Sequence, residues 1–149
     1  MLLRLIALMP SINFFSQKIH FKLSKPNQTR NWIQGVIHSF MKTCGDINYI
    51  FCSDAYLQKI NHERLKHDYY TDIITFDQSE DPKTVEAEIY ISIDRVKENS
   101  ESLVVEFEME LRRVMIHGIL HLLGYVDNTE EEKTAMREKE DSCLSLYRF

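Results

Sequence analysis

The chain is poor in the residues that mark fibrous, disordered and disulfide-rich proteins. Glycine occurs four times and proline three times in 149 residues, well below their usual shares of ~7% and ~5%. This scarcity excludes a collagen-like or low-complexity chain and argues against a loop-rich β-sandwich. The three scattered cysteines, Cys44, Cys52 and Cys143, are too few for a disulfide framework. They are typical of small buried residues in a reducing compartment.

The sequence also lacks an apolar run of the ~18 residues that a membrane span needs. Residues 1–9 form a short apolar stretch that contains one charge, at Arg4. This stretch is similar to the start of a signal peptide, but no small-residue cleavage site follows it. We therefore predict that residues 1–11 are a non-structural N-terminal extension that is not cleaved, with a weak secretory signal as the alternative. Residues 12–149 are predicted to form a single domain.

Acidic residues are missing from the first third of the chain. Residues 1–45 contain six Lys or Arg and no Asp or Glu, whereas residues 46–149 contain twelve basic and 23 acidic residues. The average surface therefore repels a polyanion, although a local basic face built from the first segment could still bind one. Drift in composition explains the same pattern, so charge alone does not decide between the two interpretations.

Hydrophobic periodicity predicts an α+β domain with about four strands and about five helices. Strands are predicted at Ile12–Leu23, Asp46–Cys52, Asp72–Phe76 and Val85–Ile93. The first helix is predicted to begin at Pro26 and to stop near Gly45, and the second to follow an N-cap at Ser53. A third begins at Asp94, and a long fourth covers Leu103–Leu123. The last follows a capping box formed by Thr129 and Glu132.

The segment HGILHLLGYVD, from His117 to Asp127, carries the most chemistry. His117 and His121 are four residues apart on a predicted helix, so their Cβ atoms lie ~6 Å apart on one face. Both imidazoles can then reach one metal ion at ~2.0–2.1 Å. Gly124 permits a left-handed turn that can return Asp127 to the same ion. Two histidines and one carboxylate leave a fourth position open, as in catalytic zinc sites, and also suit Fe(II), Ni or Mn.

Two alternatives bear on this motif. A histidine pair at this spacing is often only helix surface, but the apolar neighbours place these rings beside the core, where an unpaired imidazole is costly. Zinc peptidases carry a glutamate general base directly after the first histidine. Gly118 stands there in this chain, which disfavours a peptidase. Arg113, one turn earlier, either stabilises charge at the site or, as we expect, pairs with Glu110.

These residues resemble the YbeY family of bacterial metal-dependent endoribonucleases and rRNA maturation factors. The family motif H-G-x-L-H-L-x-G-Y-D-H is matched at His117, Gly118, Leu120, His121, Leu122, Gly124 and Tyr125. Two other parts of the chain also resemble family segments. One is Ile60–Asn61 together with TDIITF at Thr71–Phe76, and the other is the strand AEIYI at Ala87–Ile91. The resemblance extends from about Ile12 to the end of the chain.

The resemblance implies a small mixed four-stranded sheet packed with about five helices and a zincin-like metal helix. It implies zinc-dependent cleavage of single-stranded RNA, processing of the 3′ end of small-subunit rRNA, and ribosome maturation in the cytoplasm. The expected cofactor is one Zn²⁺ per chain, held by His117, His121 and Asp127, although another divalent transition metal fits the same ligands. The expected partners are single-stranded rRNA and the small ribosomal subunit or its proteins, with no membrane.

Three positions depart from the family pattern. Asp127 replaces the third histidine, which lowers the net charge of the site by one and makes a bound water less acidic. Leu65 replaces an arginine of the family that is thought to serve RNA binding or catalysis, and Ala87 replaces a glycine. The general base stays unassigned. The candidates for RNA contact or charge stabilisation are Arg64, Lys66, His67 and Arg113.

Leu65 leaves a second function open. A ribosome-associated metal-binding maturation factor without strong nuclease activity is the alternative to an endoribonuclease, and a small metallopeptidase is the third, least favoured reading.

Overall fold

The structure is a computed structural model that describes residues 11–65 and 71–148, except for the side chain of Leu65. Residues 1–10 of the predicted extension, together with Lys66 and His67, lie outside the described residues. The strands are β1 (Ile12–Gln17), β2 (Thr43–Cys52), β3 (Ile73–Asp77) and β4 (Thr84–Ser92). The helices are α1 (Pro26–Ser39), α2 (Asp54–Ile60), α3 (Ile93–Leu103), α4 (Phe107–Leu122) and α5 (Glu130–Leu144), and a π-helical turn (Asn61–Leu65) follows α2.

The strands form one mixed sheet in the order β1-β2-β4-β3. β1, β2 and β4 run parallel, and β3 pairs antiparallel with β4, with Ile73 opposite Ile91 and Thr75 opposite Ile89. The expectation of an α+β fold with a mixed four-stranded sheet is therefore confirmed. β3 lies at the edge of the sheet, next to the helix that carries the histidine motif.

The two faces of the sheet bury different clusters. Val85, Ala87, Ile89 and Ile91 alternate along β4 and are at most 3% exposed, as the sequence predicts. They belong to the main core, which α1 and α4 cover. Each fully buried isoleucine contributes ~1.5–3 kcal/mol to folding. A smaller cluster on the opposite face packs under α2 and consists of Cys52, Leu57, Ile60 and Ile74.

Two buried hydrogen bonds hold the functional helices in place. The Tyr49 hydroxyl donates to the Met115 carbonyl at 3.0 Å, which ties α4 to β2. The Trp32 indole donates to the Cys143 carbonyl at 2.7 Å, which ties the end of α5 to α1. A buried indole or phenol needs such a partner. The position of α5 relative to α4 is therefore set by packing and by specific polar contacts.

The predicted helix over Leu103–Leu123 is wrong in its first turn. Val104 adopts a left-handed conformation with φ 54°, and its N–H and that of Val105 bond back to Glu101 and Ser100. These bonds end α3, and the chain turns before α4 begins at Phe107. Two shorter helices pack against each other here, and this packing overrides the uninterrupted apolar spacing.

Other boundaries also differ from the predictions. β1 ends at Gln17 rather than Leu23 because Lys18 is left-handed, with φ 62°. α1 ends at Ser39, where Met41 rather than Gly45 supplies the left-handed turn, with φ 59°. Gly45 lies inside β2, next to an irregularity in the pairing with β4. Within the described part of the chain, no helix combines the length and the apolar character needed to cross a membrane.

Candidate metal centre

At Gly118, helix α4 packs closely on side chains of the edge strand β3. A Cβ atom at Gly118 would lie 2.9 Å from Ile73 Cδ1 and 3.3 Å from Thr75 Oγ1. The first distance is shorter than ordinary carbon contacts of ~3.5–4.0 Å. The glycine that departs from the peptidase pattern thus has a structural use. It lets the part of α4 that carries His117 and His121 approach β3.

The turn after α4 returns the chain towards the histidines. Gly124 has φ 106°, a conformation that an L side chain rarely adopts. Its N–H donates to the His121 carbonyl at 3.1 Å, and the Tyr125 N–H donates to the Leu120 carbonyl at 3.0 Å. The predicted left-handed exit at Gly124 is therefore confirmed, and Asp127 follows three residues later.

The three predicted ligands lie together. His117 Nε2 is 3.0 Å from His121 Nε2, and Asp127 Oδ2 is 3.5 Å and 3.6 Å from these two nitrogens. Bonds of ~2.0–2.1 Å to a tetrahedral zinc ion would separate neighbouring ligand atoms by about 3.3 Å. The three donor atoms therefore have the spacing of three corners of such a tetrahedron. Among the described residues, they form the cluster of histidine and acidic groups that could hold a metal ion.

A buried carboxylate orients the first histidine. Glu140 Oε2 lies 2.6 Å from His117 Nδ1, and the Glu140 side chain is only 6% exposed. An ionised carboxylate only accepts hydrogen bonds, so Nδ1 carries the proton and Nε2 keeps its lone pair towards His121 and Asp127. This is the carboxylate–histidine arrangement that supports many zinc ligands.

The electrostatics of this pair favour a charged Glu140. Burial alone would lower the pKa of His117, but the hydrogen bond and charge of Glu140, with Asp127 and Asp72, raise it above its usual value. Burial alone would raise the pKa of Glu140, but His117 and Arg113 outweigh this effect and lower it. The carboxylate is therefore ionised at neutral pH and can orient the ring in the absence of metal.

Arg113 does not pair with Glu110 as predicted. Its guanidinium donates to Glu140 at 3.0 Å and to Asp141 at 2.6 Å. α5 supplies both carboxylates one residue apart, and both face Arg113, which is 16% exposed. Arg113 thus lies next to the site, as the sequence indicates, but it holds the carboxylate that orients His117.

Two clefts meet at two of the three candidate ligands, His117 and Asp127. One of ≈ 380 Å³ lies between α4 and α5, and another of ≈ 620 Å³ runs along β3. Asp72, His117 and Asp127 line both clefts. Burial raises the pKa of Asp72, and the charge of His117 partly opposes this rise. A polymer that occupies both clefts passes over the ligand cluster, which consists of His117, His121 and Asp127.

Arg64 lies away from the ligand cluster. Its guanidinium stacks 4.0 Å from the centre of the Phe76 ring and lies 3.6 Å from Glu88. Phe76 on β3 and Glu88 on β4 are paired. Ile89, the next residue on β4, points to the opposite face of the sheet and packs under Gly118 of α4. Phe76 and Glu88 therefore project from the face that α4 does not cover. Arg64 is therefore on the α2 side of the sheet, and any RNA contact it makes is remote from His117.

Sequence reasoning missed Glu140, Lys133 and Arg137, which all line the cleft between α4 and α5. One signal for Glu140 exists in the sequence. Met136, Glu140 and Cys143 follow helical spacing and form the buried face of α5. An acidic residue on the apolar face of a predicted helix requires a buried partner. The sequence does not show which residue that partner is.

Comparison with known families matches residues 12–148 to the family described as Endoribonuclease YbeY. The chain belongs to the YbeY family. Two similar proteins illustrate the match. Endoribonuclease YbeY of Christiangramia forsetii is 51% identical over 91% of this chain and 94% of its own length. Endoribonuclease YbeY of Cytophaga hutchinsonii is 46% identical over 93% of this chain and 97% of its own.

The fold also matches a solved structure. The solution structure of a Thermotoga maritima protein superposes with a TM-score of 0.62 at 26% sequence identity, and the match covers 91% of this chain and 87% of that one. The overall fold is thus shared with a distant protein. The YbeY resemblance stated from the histidine motif is confirmed along almost the whole described chain.

Proposed function

We propose that this protein is a metal-dependent endoribonuclease that cleaves single-stranded RNA at a metal ion held by His117, His121 and Asp127. One observation carries the proposal: in a chain of the YbeY family, the three donor atoms lie 3.0–3.6 Å apart where two clefts meet. From the family resemblance, we further propose a role in 3′-end processing of small-subunit rRNA. The partner is then the small ribosomal subunit or its proteins, in the cytoplasm.

We propose zinc as the resident metal, with one ion per chain. Two imidazoles and one carboxylate suit zinc, with a fourth position open to a substrate or water. When bound, such an ion polarises a phosphoryl oxygen and lowers the pKa of a water molecule. The protein supplies the rest: Glu140 fixes the tautomer of His117, and the clefts align the RNA backbone. Fe(II), Ni or Mn fit the same ligands.

The charge of the α4–α5 cleft links RNA binding to the metal. The cleft is lined by four carboxylates, against three Lys or Arg side chains. Its formal charge without metal is therefore negative and repels phosphate, whereas a divalent cation reverses the sign. We expect the metal to be required for RNA binding as well as for cleavage. The carboxylates are Asp72, Glu110, Asp127 and Glu140, and the cations are Arg113, Lys133 and Arg137.

The experiment is cleavage of a fluorescent single-stranded RNA by the purified protein, by a chelated sample and by the chelated sample reloaded with zinc. His121→Ala should abolish cleavage, whereas His38→Ala, which removes an exposed histidine at the end of α1, should not. Activity that persists after chelation and in His121→Ala would refute the proposal.

Two other outcomes separate the alternatives. Zinc-loaded protein that cleaves no RNA and sediments with ribosomes would favour a maturation factor. In that case Leu65→Arg, which restores the family's residue, should bring cleavage back. Chelator-sensitive hydrolysis of casein would favour a peptidase, which Gly118 disfavours because it supplies no proton acceptor next to His117.

A further inference from the structure

The cleft between α4 and α5 extends the ligand cluster along the surface. Its ≈ 380 Å³ volume is bounded on the α4 side by His117 and Arg113 and on the α5 side by Lys133 and Arg137. Three cations thus share a cleft with two of the proposed ligands, His117 and Asp127. They are not equivalent, because their carboxylate partners differ.

Arg113 is fully engaged by protein carboxylates. It forms ion pairs with Glu140 and Asp141 at 3.0 Å and 2.6 Å, and only 16% of its side chain is exposed. A phosphate that recruited Arg113 would have to break a buried pair and would release Glu140 from its hydrogen-bond partner. Breaking a buried pair in this way is strongly unfavourable because it leaves an uncompensated buried charge. Arg113 is therefore a structural cation of the cleft.

Arg137 differs in having no carboxylate partner among the described residues. It is exposed and lines the cleft one helical turn before Asp141. Across residues 11–65 and 71–148, no acidic side chain lies within ion-pair distance of it. Burial raises the pKa of Glu110, which also lines the cleft, and the positive charges of Arg113 and Arg137 partly counteract this rise. The guanidinium therefore acts on the interior of the cleft and is free to bind an anion there.

Lys133 lies one turn before Arg137 on the same face of α5 and lines the same cleft. Its ion pair with Glu130 is 3.5 Å long, and the two side chains are 57% and 92% exposed. Ion pairs as exposed as this one contribute little to stability. The ammonium can therefore turn to a phosphate in the cleft at little cost.

We propose that Arg137, assisted by Lys133, binds a backbone phosphate of the RNA next to the one that lies at the ligand cluster. A guanidinium presents a planar fork that matches two phosphate oxygens, and an ammonium adds a point charge. The inference rests on the proposed function, since it requires RNA in this cleft. It assigns substrate positioning to α5, a helix that sequence reasoning connects with neither RNA nor metal.

A contact to a non-reacting phosphate mainly lowers KM, because it is made equally in the ground state and in the transition state. Loss of one charge-assisted contact should raise KM about 10- to 100-fold with little change in kcat. The dependence of RNA affinity on salt should also weaken, since each lost phosphate contact removes about 0.7 from the slope of log K against log salt for single strands. Lys133→Ala should raise KM only a few-fold.

The experiment compares wild-type protein with Arg137→Ala, Arg137→Lys, Lys133→Ala and Lys139→Ala, all loaded with zinc and checked for equal metal content and thermal midpoint. Lys139 is the matched control because it is on α5 but stacks on Phe40, 4.9 Å from the ring centre. The proposal expects a raised KM and a reduced salt slope in Arg137→Ala, partial rescue by lysine, and wild-type values in Lys139→Ala.

The outcomes distinguish this inference from the proposed function. A wild-type protein that cleaves RNA while Arg137→Ala keeps its KM and salt slope overturns the inference alone, and Arg137 then serves only to balance the acids of the cleft. A fall in kcat without a change in KM also overturns it. A zinc-loaded wild-type protein that neither binds nor cleaves RNA overturns the proposed function and this inference together.

Discussion

Replacing Glu140 by glutamine should weaken metal binding without touching a ligand. Glu140 accepts a 2.6 Å hydrogen bond from His117 and a 3.0 Å bond from Arg113, and its side chain is 6% exposed. Glutamine keeps the size of the side chain but loses its charge. One amide oxygen cannot replace the two ionised oxygens that serve His117 and Arg113, and the amide nitrogen can pair with His117 Nδ1 only if the proton moves to Nε2.

The size of the effect follows from these contacts. A charge-assisted hydrogen bond contributes ~1.5–3 kcal/mol, and loss of such a partner behind a metal ligand typically costs 10- to 100-fold in affinity. We therefore expect the Kd for zinc to rise about 10- to 100-fold in Glu140→Gln, which corresponds to about 1.4–2.7 kcal/mol.

The assay is a titration of metal-free protein with zinc in competition with a fluorescent chelator, at constant pH. Glu138→Gln, which removes an exposed acid from the same helix, is the matched control and should bind zinc like the wild type. A Glu140→Gln protein that is folded and binds zinc within twofold of the wild type would refute the role assigned to this carboxylate.

Three other predictions concern the fold. In urea, Gly118→Ala should show none of the stability that alanine usually adds to a helix, because the added Cβ would lie 2.9 Å from Ile73 Cδ1 and that side chain must shift. Gly35→Ala, with no atom within 4 Å, should instead stabilise α1 by about 0.5–1 kcal/mol, and equal effects would contradict this account. Val104→Gly should raise the urea midpoint because it relieves a left-handed valine; a lowered midpoint would show no strain there. Burial raises the pKa of Cys44 to about 11 and that of Cys52 to about 12. The native state then holds the two thiol protons more tightly than the unfolded state does, so the free energy of unfolding should fall as pH rises above 9. A thiol reagent at pH 8 should label these cysteines in unfolded protein only.

The elements around the histidine motif could be predicted because their signals are local. Helical spacing, a glycine at the helix end and an acidic residue shortly after it indicate α4, its exit and the position of Asp127. The alternation of β4 is equally local. The break at Val104 could not be predicted in this way, since the sequence there has neither glycine nor proline, although Val104 adopts a left-handed conformation between α3 and α4.

The surroundings of the ligands depend on tertiary contacts. Glu140 is 23 residues from His117, and only the docking of α5 onto α4 brings them together. The same docking gives Arg113 two carboxylates from α5 in place of Glu110. Spacing along one helix favours Glu110, but burial beside a partner helix decides the pairing.

The most direct test of the central claim is the metal content of protein purified without chelators, measured by mass spectrometry for wild type, His121→Ala and His38→Ala. We predict about one zinc ion per chain in wild type and in His38→Ala, and loss of the ion in His121→Ala. A wild-type protein that carries no metal and takes up none on addition of zinc would contradict it. So would a His121→Ala protein that keeps a full equivalent.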